Sequence, residues 1–67
     1  MNSMQEGYVN ALVTDRADTL SKDSTDGDVF GAARGVYNEI TEAGVLDPGN
    51  DIQLRIYNAL LEHRNSL

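Results

Sequence analysis

The sequence predicts an all-α protein, a compact three-helix bundle or orthogonal trihelical domain with no sheet, and three observations carry that prediction. Three segments gather their apolar residues on one face at helical spacing. Polar, turn-forming stretches separate them. No segment of four or more residues alternates apolar and polar while also being rich in β-branched or aromatic residues, so strands are not expected. Residues 1–67 are read as a single domain with helices at about 4–21, 28–43 and 48–64.

In the first segment Ser3 and Glu6 stand three apart ahead of an apolar pattern, which makes Ser3 an N-cap candidate and Glu6 its partner in a capping box. The arc that follows holds Tyr8, Leu12, Val9, Leu20 and Val13, with Met4 and Ala17 at its edges. Arg16 projects from the middle of that arc. Its stem is expected to lie along apolar surface while the guanidinium reaches water or a carboxylate on another helix. Residues 20–28 then form a polar, acid-rich linker whose carboxylates suit the positive end of the next helix. An EF-hand reading of this linker fails. With Gly27 at the glycine position, Lys22 falls where the loop needs its first carboxylate and Ala33 where it needs a bidentate Glu.

The second segment, Asp28 to Val45, is the most explicit. Ala32, Val36, Val29, Ile40, Ala33, Tyr37 and Phe30 form one continuous apolar arc on which the core should assemble. Gly44 supplies the left-handed residue of a Schellman ending, with Val45 folding back on Ile40. Away from the arc lie Gly31 and Gly35, one turn apart, beside Arg34, Asn38 and Glu42. Each glycine costs a helix about 1 kcal/mol relative to alanine, so the pair reads as a notch admitting a partner's backbone or as tolerated solvent-face residues.

The third segment opens at LDPGND, where Asp47 as N-cap with Pro48 at the first helical position accounts for the residue order, and Asn50 is a second cap candidate. Its arc carries Ala59, Ile52, Ile56 and Leu60 with His63 along the strip, and Tyr57, Leu61 and Leu54 widen it to about 200°. That width suits a helix lying against both others, or one that leaves the edge Leu54, Tyr57, Leu61 for another chain.

Composition narrows function mainly by exclusion. Eleven Asp and Glu against five Lys and Arg give a formal charge of −6, which disfavours direct nucleic-acid binding and suits a basic partner. There is no Cys and only one His, so one copy cannot assemble a Cys/His metal site. Missing signal-peptide features and the short apolar runs lead to the expectation of a cytoplasmic protein without a membrane span. The serines fall at predicted caps, linkers and ends, and GAARG follows no strand and lacks a P-loop lysine. No catalytic residue, metal or cofactor is therefore expected.

The resulting expectation is a small acidic, non-enzymatic protein-binding module that regulates or inhibits a larger protein or ribonucleoprotein with a basic surface. In genre such a chain resembles the accessory proteins of phages and plasmids. Candidate partner-binding residues are Gly31, Arg34, Gly35, Asn38, Glu42, Leu54, Tyr57 and Leu61. Two alternatives accompany it: a homodimeric structural or assembly subunit using the Leu54, Tyr57, Leu61 edge, and an inhibitor whose carboxylates mimic a nucleic-acid backbone.

Overall fold

The computed structural model describes residues 3–44 and 50–67. Three helices, α1 (Ser3–Ala17), α2 (Asp26–Glu42) and α3 (Asn50–Asn65), pack pairwise against one another, and no strand occurs among the described residues. The protein is an all-α three-helix bundle.

The core follows from helical spacing. α2 contributes Val29, Ala33, Val36 and Ile40, which recur at intervals of four, three and four and are all buried. α1 adds Val9 and Ala17, and α3 adds Ile56 and Leu60. Leu12, Val13, Leu20, Ala32, Ile52, Tyr57 and Leu61 pack around this centre as a half-buried ring. α3 touches both other helices, the first of the two arrangements its wide apolar arc allowed, although Ala59 and Leu54 of that arc remain exposed. The arcs of α1 and α2 are wider than the surface their neighbours cover. Met4 (86% exposed), Tyr8 (40%) and Phe30 (57%) are left outside.

Helix ends are set by local hydrogen bonds. α1 already includes Ser3, so the expected Ser3 cap with Glu6 gives way to a helix starting at that residue. It also stops at Ala17, four residues short of the expected end at Ser21. There the ladder tightens: Thr19 and Leu20 donate their amides to the carbonyls of Arg16 and Ala17, and the Thr19 hydroxyl donates to the Arg16 carbonyl at 2.6 Å. Short polar side chains compete with the helix in this way. The following turn is closed by the Ser24 hydroxyl, which accepts from the Ser21 amide at 2.9 Å.

The capping box lies at the start of α2. The Thr25 hydroxyl accepts from the Asp28 amide at 3.1 Å, and the Asp28 carboxylate accepts from the Thr25 amide at 3.0 Å. Because Thr25 is the cap, α2 begins at Asp26 rather than Asp28. At the other end Gly44 has φ +66° and donates its amide to the Thr41 carbonyl, half of the Schellman pattern. Val45, Asp47 and Pro48 lie outside the described residues, as does the expected contact of Val45 with Ile40. α3 starts at Asn50 and runs one residue past the expected Arg64. The Ser66 hydroxyl and amide then donate to the His63 carbonyl, closing a turn beyond the helix.

Two stability predictions follow. Leu60→Ala, which empties a fully buried site, should cost about 2–5 kcal/mol, whereas Leu54→Ala on the exposed side should stay within about 0.5 kcal/mol. Thr25→Ala should remove about 1 kcal/mol and lower the Tm by about 4–8 °C. Thermal melts followed by circular dichroism measure all three.

Candidate functional site

The distribution of the five basic residues leads to the site. Three of the four arginines each join a different pair of helices: Arg16 to Glu39 (α1 to α2, 2.9 Å), Arg55 to Glu6 (α3 to α1, 3.4 Å) and Arg64 to Asp26 (α3 to α2). Arg64 is the most sheltered, at 15% exposure, and it also donates to the Ser24 carbonyl and to the Asn65 side chain. Arg34 is different. Its helical neighbours at three and four residues' distance are Phe30, Gly31, Tyr37 and Asn38, none of them acidic, so no ion pair along α2 can form. Among the described residues it makes no hydrogen bond or ion pair with any other helix either.

Arg34 stands instead at the rim of a groove between α2 and α3. Phe30, Arg34 and Tyr37, spaced four and three residues apart, form one wall with Asn38, and Gln53 and Tyr57 of α3 form the other. Buried Ala33 lies at the floor, and its small side chain leaves the depression open. The cavity holds about 270 Å³, just under the roughly 300–1,000 Å³ typical of small-molecule sites, so it fits one bulky side chain better than a cofactor. The Phe30 and Tyr57 rings meet edge to face, with centroids 6.3 Å apart and planes at 64°. Leu54 and Leu61, three residues before and four after Tyr57, continue its face along α3.

The candidate residues separate into groups. Arg34, Asn38 and Tyr57 line the groove together. Leu61 packs half-buried against the core, and Leu54 is 59% exposed. Gly31 and Glu42 are exposed on α2, and a Cβ at Gly31 would meet nothing within 4 Å. Gly35 has an internal use. The Arg16 guanidinium crosses it on the way to Glu39, and a Cβ there would lie 3.1 Å from Arg16 Cζ. This part of the supposed notch is occupied by the protein's own side chain, and Arg16 finds its carboxylate on another helix as its position implied.

Sequence reasoning missed Phe30 and Tyr37 as site residues by assigning both to the core arc. The signal was their place at one edge of that arc, in register with Arg34 at four- and three-residue steps. Among the described residues no group of three or more His, Cys, Asp or Glu side chains converges to hold a metal ion, and no helix is long and apolar enough to cross a membrane. No family model matches the chain, and neither does any curated protein or solved structure.

The two glycines give a direct test of the Arg16 crossing. Gly31→Ala should stabilise by about 1 kcal/mol, and Gly35→Ala by less because the guanidinium must shift. In an Arg16→Ala background the two gains should become equal. Equal gains in the unmodified protein would show that Arg16 does not rest on Gly35.

Proposed function

We propose that this chain is a non-enzymatic protein-binding module that regulates or inhibits a larger macromolecule, and that it docks through the α2/α3 groove and the adjoining edge of α3. The observation that carries this reading is the exposure of Phe30 beside Tyr37, Tyr57 and an arginine that makes no ion pair among the described residues. Tyrosine, phenylalanine and arginine are enriched in the buried centres of protein interfaces, and tyrosine and arginine dominate their binding energy. The net charge of −6 supports a partner whose surrounding surface is basic, such as a protein or ribonucleoprotein that itself handles nucleic acid. A cysteine-free chain is compatible with a reducing, cytoplasmic setting.

A second reading has one specific observation behind it. Leu54 is exposed on the same side of α3 as Tyr57 and Leu61, so a second copy could cover that edge in a homodimer. Light scattering on the eluting protein at micromolar concentration separates the two, because a monomer there excludes a stable dimer.

The test of the main reading compares capture of host proteins by the immobilised wild-type chain with capture by Phe30→Ala and Tyr57→Ala variants of unchanged helicity. One protein should be retained by the wild type and lost about tenfold or more by each variant, with retention weakening as salt rises. A partner held equally by all three chains would remove the groove from the binding surface.

A further inference from the structure

The local charge of the groove opposes that of the chain. Overall the protein carries −6, but the described residues lining the groove, Phe30, Ala33, Arg34, Tyr37, Asn38, Gln53 and Tyr57, include one cation and no carboxylate. Two more open depressions among the described residues differ from it. That on the outer side of α3 contains Asp51 and Glu62 beside Arg55, and that beneath the α1–α2 turn contains Asp28 beside Arg16. Arg55 and Arg16 are also already paired with Glu6 and Glu39. The groove is thus the place where an aromatic-lined cavity and an uncommitted guanidinium coincide.

We propose that the groove receives a single apolar or aromatic anchor side chain of the partner protein that carries a carboxylate beside it, either the partner's C-terminal carboxylate or a neighbouring Asp or Glu, and that Arg34 takes that carboxylate. This inference rests on the reading of the chain as a binding module and names the chemistry of what the module reads. The cavity volume suits one side chain, the ring faces of Phe30, Tyr37 and Tyr57 supply its apolar contacts, and Asn38 and Gln53 offer amide donors and acceptors at the rim. A guanidinium presents a planar fork that matches a carboxylate, and here it has no competing carboxylate to displace among the described residues. The acidic exterior then acts as a second filter. An anchor on an acidic partner is repelled at long range, and one set in a basic surface is attracted until its own carboxylate meets Arg34.

The probes are N-acetylphenylalanine, which joins an aromatic ring to a carboxylate, and its neutral amide, each titrated into the isotope-labelled full chain and followed by amide NMR shifts. The acid should move resonances of Arg34, Tyr37, Asn38 and Tyr57 and bind about two- to fivefold more tightly than the amide, the range expected of one solvent-exposed ion pair. Arg34→Gln should bring the acid down to the level of the amide and leave the amide unchanged. Equal binding of acid and amide would overturn the carboxylate assignment while leaving the groove a site for apolar anchors. Failure of both probes to shift the groove resonances would overturn the inference, and the Phe30→Ala capture experiment would then judge the binding-module reading by itself. Groove resonances that move with protein concentration alone would overturn it too, assigning the cavity to a second copy.

Discussion

One face of α2 is the surface on which both other helices bury their apolar stripes. Val29, Val36 and Ile40 are wholly excluded from solvent there, and Ala33 nearly so, because α1 covers them from one side and α3 from the other. A helix shared in this way has little freedom to rotate, since turning it would expose one neighbour's contacts to improve the other's. The position of everything else on α2 follows. Phe30, Arg34 and Tyr37 fall on the edge turned toward α3, and Gly31 and Glu42 face solvent. Buried Ala33, the smallest residue lining the cleft, lies in the same stripe. The groove is a consequence of how the core is built.

The three arginine pairs act on arrangement more than on total stability. Arg16–Glu39 and Arg55–Glu6 are half exposed, and such pairs contribute about 0–1 kcal/mol each. Each still joins a different pair of helices, so sliding one helix past another by a turn would break at least one of them. Arg64 contributes more, because it is mostly sheltered and ties the last turn of α3 to the first turn of α2 through both Asp26 and the Ser24 carbonyl. Seen beside these three, the solitude of Arg34 follows from the sequence itself. In a chain rich in carboxylates, the four positions within its helical reach are aromatic, small or amide.

Periodicity carried most of the fold. The α2 stripe and the left-handed Gly44 were legible because each rests on a single strong constraint, burial in one case and positive φ in the other. Helix starts were harder to read, because Ser3–Glu6 and Thr25–Asp28 offer the same motif and only the second closes as a box. The early end of α1 was illegible for a related reason. Leu20 fits the helical arc and does reach the core, but the Thr19 hydroxyl turns the backbone before it. Of the site, Arg34, Asn38 and Tyr57 were identified singly and their meeting was not. A helical wheel gives the direction of a side chain without saying how much of it a neighbouring helix covers, and Phe30 meets Tyr57 of α3 only edge to face while staying more than half exposed.

Three features of α2 run against the interest of an isolated domain of this size. Gly31 weakens the helix where open space would admit alanine, Phe30 leaves an aromatic ring more than half in water, and Arg34 has no counter-charge among the described residues. A chain with eight buried apolar side chains among its described residues has little stability to spare, so such choices weigh more here than in a larger protein. Local choices that conflict with folding gather where a protein does something other than fold. Phe30 and Arg34 share the edge of α2 turned toward α3 and Gly31 lies on the neighbouring solvent face, all outside the stripe that holds the bundle together. Coverage of that edge by a partner would put Phe30 out of water and give Arg34 a counter-ion, and a helix already fixed by burial on its other face would present both without further ordering.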